Sequence, residues 1–457
     1  METFLSGEIE KDGASKTCSY CEEEGKTFSV DQIADSVGII LGDFFRRTDY
    51  DHETAPRRGE PLQKIISELT ETMDNTFAED VRYVLAERAA SEREGGLEDD
   101  SFGPDARYAR EGFVDTGDLE SDWWRFERSL KTETRFFNKH AESILAYIFE
   151  GIDRYSTISR RPIVVEAGPG TSLEKLYRAR EFQSERELRD AMKHPDLKVG
   201  PPPTTSAVAG RMNPTGVAVF YGATDPEVAL AEVRPPVGCK VLVGCFEVIR
   251  PLRLLDLAAL KDLHDDNGSF FDDAYRSRLK RAQFLRGLCW RISRPVMPND
   301  QPIEYLPTQA IADFLATAEC PPLPLDGIVY PSVQAGYQGP FERSNRFTLG
   351  GSRKENFNVV LFHKAARVQS LDQGADVSVS DNSLVFFPET SHLNDGPDVQ
   401  YTVSVRSAEH SLPVDNAQDD AALKFSSLQV HCVKAVKFDT VSSSVSRFSA
   451  PEQDKEG

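Results

Sequence analysis

No run in this 457-residue chain is apolar enough, for long enough, to span a bilayer, and Met1–Glu10 lacks the basic-then-apolar pattern of a secretory leader. Positive charge is also short. Lys and Arg number 53 against 74 Asp and Glu, a net charge of −21, which argues against a general nucleic-acid binder. The seven cysteines are odd in number and scattered, so the chain fits a reduced, cytoplasmic setting rather than a disulfide framework. Cys18 and Cys21 have zinc-knuckle spacing, but zinc needs four ligands and no second such pair follows; two reduced thiols in a surface loop are the simpler reading, and no metal site is expected. Gly168-Pro169-Gly170 lacks the third glycine and the strand-to-helix context of a dinucleotide fingerprint. His194, His264, His363, His392, His410 and His431 fall at no ligand spacing, and there is no internal repeat.

What is present divides along the chain. The length calls for at least two domains. Charge is uneven: −17 over residues 1–155, +4 over 156–368 and −8 over 369–457. Residues 1–28 form a segment around the cysteine pair. Residues 29–155 read as an all-helical domain. There Ser29 and Gln32 make a capping box, Phe28 and Ile33 a hydrophobic staple, and Val30, Ile33, Val37, Ile40, Leu41 and Phe44 follow helical spacing. Further helices are expected from Leu62 to Met73, over 77–90, and from Trp123 to Ile152, with 91–118 as a long exposed loop. Residues 156–368 read as a mixed α/β domain, so the fold class is α+β. Its β-rich runs are 217–221, 240–248, 327–331 and 358–363, and its helical patterns are 275–290 and 308–317. Residues 369–427 read as an inserted or mobile segment, 428–438 as a returning strand within a 428–448 tail, and 449–457 as a disordered end.

The stretch from Arg211 to Glu232 concentrates the chemistry. Val217–Tyr221 is a short apolar run between Gly216 and Gly222, and Asp225-Pro226-Glu227 is a helix start with Asp as N-cap and Pro at the first helical position. Tyr221 then sits at a strand end, Glu232 in the next helix and Arg211 in the loop leading in. Guanidinium forks bind phosphate oxygens in pairs, which suits Arg211 and Arg178 to a pyrophosphate or an attacking phosphate. A carboxylate beside a breaking glycosidic bond stabilises the oxocarbenium-like centre, which suits Glu232. Tyr221 has the ring to stack on a base or ribose, and Ser332, after a strand, has a hydroxyl to donate. Singly, each has an ordinary reading as an ion pair, a core tyrosine, a surface acid or a turn serine; their joint order is the signal.

Four pieces, in this order, resemble the RES family: Leu176-Tyr177-Arg178-Ala179-Arg180; Gly210-Arg211-Met212-Asn213-Pro214 through Tyr221 to Glu232; Asp326-Gly327-Ile328-Val329-Tyr330-Pro331-Ser332; and Asn358-Val359-Val360-Leu361-Phe362, with Glu304–Gln309 in support. The resemblance covers roughly residues 170–366 and the strand near 430. It implies a fold similar to ADP-ribosyltransferases and an NAD-degrading activity, by phosphorolysis or hydrolysis, with Arg178, Arg211, Tyr221, Glu232 and Ser332 as functional residues. It further implies inorganic phosphate as a possible co-substrate, a toxin's role with an antitoxin partner, and a possible homo-oligomer. Gln334–Glu355 departs from the family as an insertion at the rim of the site. The helical region resembles a HEPN domain, and Arg135 and His140 fit that family's Arg-x4-His pattern, with Phe136 and Phe137 read as packing residues. The alternative functions are therefore a HEPN-type ribonuclease with an NAD-sensing RES domain, and a non-catalytic module that binds NAD or ADP-ribose.

Overall fold

The computed structural model describes residues 4–48, 59–72, 74–91, 100–110, 114–265, 268–318, 324–332, 356–371, 376–383, 399–406 and 420–436. The architecture is mixed α/β, organised around one large mixed sheet. Its eight strands run, across the sheet, Leu423–Cys432, Lys240–Val248, Lys175–Phe182, Phe220–Ala223, Phe357–Leu361, Gly327–Pro331, Leu252–Asp256 and Val164–Ala167. Neighbours are antiparallel except 252–256 beside 327–331. That parallel pair needs a long crossover, and the chain supplies it with the helices Asp273–Ser293 and Leu306–Thr317.

Strands 240–248, 327–331 and 357–361 are mostly apolar and buried because both faces of the sheet are covered there. Successive side chains alternate between two cores. Leu254, Val329, Val359 and Leu361 join Leu188 and Met192 of helix Glu185–Lys193 on one face. Leu255, Ile328 and Val360 join a second core on the other, with Leu285 and Leu288 of helix 273–293 and Ile311 and Leu315 of helix 306–317. The second core also takes Leu119, Trp123, Phe126 and Leu130 from helix Gly117–Thr132, and Ile144, Leu145 and Ile148 from helix Lys139–Ile148. The boundary expected between 155 and 156 runs through this core.

A third core belongs to the earlier helices Val30–Phe44, Leu62–Thr70 and Asn75–Ser91, with Phe270, Phe271 and Leu279 packed at its margin. The capping box is formed on both sides: the Gln32 amide N–H donates to Ser29 Oγ at 3.3 Å, and the Ser29 N–H to Gln32 Oε1 at 2.9 Å. This region is not all-helical. Arg46–Arg47, Glu60–Pro61 and Arg107–Ala109 form a three-stranded sheet, and Tyr108 of the expected loop is buried. Three residues are too few to show a period in sequence.

Other limits shift. The strand expected at 217–221 occupies Phe220–Ala223, and the returning strand begins at Leu423 rather than 428. Within 369–427, Asp376–Ser383 and Val399–Arg406 pair as an antiparallel hairpin. Gln334–Glu355, His392, His410 and residues 437–457 lie outside the described residues. Among the described residues, no helix is long and apolar enough to cross a membrane.

Candidate active site

The sheet splits at its centre. Strands 175–182 and 220–223 are neighbours, yet they pair at one position only, Tyr177 with Ala223. Their outer ladders are longer, running from Lys240–Phe182 to Glu247–Lys175 on one side and from Asn358–Ala223 to Leu361–Phe220 on the other. Backbone groups in such a split need other partners. Arg178 supplies one: its Nη1 donates to the Tyr221 carbonyl at 2.8 Å, while the guanidinium lies 5.5 Å from the Phe220 ring centroid. Burial, reinforced by nearby Arg180, holds the Arg178 pKa down to about 10, so the group remains cationic at neutral pH. The split opens into a cavity of about 370 Å³ whose walls include Arg178, Arg211, Tyr221, Glu232, Tyr305 and Asn358.

Tyr221 fixes the loop that carries Arg211. Its hydroxyl accepts from the Met212 N–H at 2.9 Å and donates to Asn213 Oδ1 at 2.8 Å. Burial pushes the phenol up to about 12, so it is a neutral donor. The Asn213 amide nitrogen in turn donates to the carbonyls of Val208, Pro214 and Val217. Gly210 allows this closeness: a Cβ there would stand 2.6 Å from both Asn213 Oδ1 and the Tyr221 hydroxyl. Arg211 is then gripped from the other side. Its Nη1 donates to the Ile292 carbonyl, its guanidinium lies 4.9 Å from the Tyr305 ring centroid, and its own carbonyl accepts from the Thr308 hydroxyl.

Glu232 is the last residue of helix Pro226–Glu232. Asp225 caps that helix by accepting from the Glu227 N–H at 2.9 Å, and Pro226 opens it, as the sequence predicts. It stops where Arg234 turns left-handed, at φ 46°, ahead of Pro235-Pro236. The Glu232 side chain is exposed toward the cavity but held at one oxygen. Oε1 accepts from Ser332 Oγ at 2.7 Å and from Asn358 Nδ2 at 2.8 Å. No described residue donates to Oε2.

Two buried atoms at this cavity have no partner among the described residues: Asn358 Oδ1 and Ser293 Oγ. The Asn358 amide is oriented by its bond to a carboxylate, which accepts and cannot donate, so Oδ1 is the acceptor left over. Buried polar groups are rarely left unpaired, and such atoms at a cavity wall mark places for ligand groups.

The structure thus brings Arg178, Arg211, Tyr221 and Glu232 to one cavity and sets Ser332 behind Glu232. Asn358 and Ser293 were not singled out from sequence. Asn358 left a trace, as a polar residue opening an otherwise apolar strand; Ser293, at a helix end, left none. Arg135 lies in the turn between helices 117–132 and 139–148, and His140 in the first turn of the second helix; both are exposed. Phe136 and Phe137 are not packing residues: they stand 81% and 101% exposed at the tip of that turn. Cys18 and Cys21 occupy the turn of the hairpin Ala14–Thr17 and Glu24–Thr27. Among the described residues, no group of three or more His, Cys, Asp or Glu side chains is placed to hold a metal ion.

Residues 175–380 match the family model of the RES domain. All of the cavity residues just named fall inside that match. No curated protein and no solved structure matches the chain.

Proposed function

We propose, from a RES domain match that spans this cavity, that the chain cleaves the nicotinamide–ribose bond of NAD, with phosphate or water as the acceptor. The observation that carries the reading is one carboxylate, Glu232, held at a single oxygen by Ser332 and Asn358 in a cavity whose other charged lining residues are Arg178, Arg211 and Arg234. Loss of nicotinamide leaves positive charge on the ribose. Glu232, with Oε2 open to the cavity, stabilises that charge as it develops. The two hydrogen bonds keep the carboxylate in one rotamer, so it needs no reorganisation at the moment of bond breaking. Arg178 and Arg211 neutralise the pyrophosphate, and where the acceptor is phosphate they hold that as well.

Nicotinamide release from NAD, followed with and without inorganic phosphate, tests the reading and identifies the acceptor. Glu232→Ala is expected to lower the rate at least a hundredfold while leaving the fold intact, since the side chain is exposed. A Glu232→Ala rate within threefold of wild type would remove the carboxylate from the mechanism. On the same reading, expression of the active chain depletes cellular NAD as a toxin would and expression of Glu232→Ala does not. RNA cleavage that is lost in His140→Ala, with NAD left intact, would instead favour the ribonuclease reading of the Arg135–His140 turn.

A further inference from the structure

A second chamber, about 340 Å³ in volume, lies across Arg211 from the first. One stretch of chain lines both chambers with alternate residues. Ser293, Pro295 and Tyr305 face the first cavity; Ile292, Arg294, Val296 and Glu304 face the second; Arg211 lines both. The far side of the second chamber is helix 117–132, which lies outside the RES match and is tied on by Arg291–Glu120 at 2.6 Å and Lys131–Glu304 at 2.8 Å.

The two chambers differ in chemistry. In the first, Arg178, Arg211 and Arg234 face a single carboxylate. In the second, apart from the shared Arg211, the cations at the wall are matched locally, Arg291 by Glu120 and Arg294 by Glu304, and Glu127 adds a further acid. The rest of the wall is chiefly aromatic. The chain has three tryptophans, Trp123, Trp124 and Trp290, and all three line this chamber. Trp123 is buried, but Trp124 and Trp290 are 58% and 42% exposed. Matched charge beside exposed indoles suits a flat neutral ring, not a phosphate. A third hollow of about 290 Å³, beyond Tyr221, has Arg178 and Arg180 but no aromatic ring other than Tyr221, and so suits an anion rather than a base.

Size leads to the same conclusion. A cavity of about 370 Å³ is at the small end of ligand pockets, which hold about 300–1,000 Å³, and a dinucleotide with two ring-bearing ends outgrows it. We infer that the second chamber receives the adenine ring of the dinucleotide, against Trp124 and Trp290, with Arg211 at the divide beside the pyrophosphate. This rests on the NAD reading of the first cavity. It makes the helix before the RES domain part of the substrate site.

Because every indole of the chain lines the chamber, intrinsic tryptophan emission of the full-length protein reports on it directly. Adenosine is expected to change that emission saturably. Trp124→Ala and Trp290→Ala are each expected to weaken adenosine binding, and to raise KM for NAD, about tenfold with kcat within twofold. Nicotinamide mononucleotide, which lacks the adenylate half, should be cleaved by both variants with the wild-type KM. NAD cleavage with no emission response to adenosine, or with wild-type KM for NAD in both variants, overturns the adenine chamber and leaves the cleavage reading standing. An adenosine response weakened in both variants, in a protein that does not cleave NAD, upholds the chamber and overturns the cleavage reading.

Discussion

The two helical stretches that precede the large sheet look alike in sequence and behave differently in the fold. Helices 30–44, 62–70 and 75–91 close on a core of their own, which touches the later chain chiefly through Phe270, Phe271 and Leu279. Helices 117–132 and 139–148 have no separate core. They are buried together with helices 273–293 and 306–317 on one face of the sheet. Both stretches show apolar residues at helical spacing. Periodicity tells which face of a helix is buried but not what buries it, because the partner can be 150 residues away.

Truncation breaks this comparison most severely. A chain of residues 156–457 would strip Leu119, Trp123, Phe126, Ile144, Leu145, Ile148 and Phe149 from the sheet's core. Each fully buried side chain of this size contributes about 1.5–3 kcal/mol, so the seven together contribute about 10–20 kcal/mol, as much as the whole 5–15 kcal/mol by which domains are usually stable. That chain is expected to show no cooperative thermal transition by circular dichroism. A chain of residues 115–457 keeps those contacts and is expected to melt cooperatively. Cooperative melting of 156–457 would show that the cores are separable after all. A pair of point changes sharpens the same contrast. Phe44→Ala and Phe126→Ala each delete a ring that is almost wholly buried, and each is expected to cost about 3–5 kcal/mol in denaturant unfolding. Only Phe126→Ala, in the helix that walls the second chamber, should raise KM for NAD in the folded protein. Equal KM values in the two variants would detach that helix from the site.

The parts that could be read from sequence are those set by neighbours in the chain. The Ser29–Gln32 box, the Asp225-Pro226 helix start and the 240–248 strand depend on residues within a few positions of each other, and each stands where expected. The site was legible as a set of residues because Arg211, Tyr221 and Glu232 are ordered along one loop, strand and helix. Its internal mechanics were not. That Tyr221 uses its hydroxyl to pin Met212 and Asn213, that Arg211 is held by Ile292 and Tyr305, and that Glu232 leans on Asn358 are long-range or conformational facts. The strands 46–47, 60–61 and 107–109 were missed because two or three residues carry no alternation to detect.

The same contrast between a locally built support and a distantly built one can be drawn inside the cavity. Tyr221→Phe keeps the ring and removes the hydroxyl, leaving the Met212 N–H and buried Asn213 Oδ1 without their partner. Unmet buried polar groups cost about 1–3 kcal/mol each, and a loss of about 2 kcal/mol with a raised KM for NAD is expected, because the Arg211 loop loosens. Unchanged stability and KM would show that the loop is held elsewhere.

Arg178→Met has the smallest expected effect on stability and a large one on activity. A guanidinium whose pKa is lowered to about 10 on folding costs stability at every pH below about 10, and that cost fades only as pH rises from there toward the ordinary arginine value. Discounted for its partial exposure, the cost at pH 7 is about 2 kcal/mol. The bond to the Tyr221 carbonyl returns about 1 kcal/mol of it. Methionine fills similar space without the charge, so Tm at pH 7 should stay level or rise slightly while nicotinamide release falls. A Tm lowered by several degrees would mean that Arg178 is there chiefly to brace the split strands. A level Tm with lost turnover would mean that the charge is kept, against stability, for the ligand.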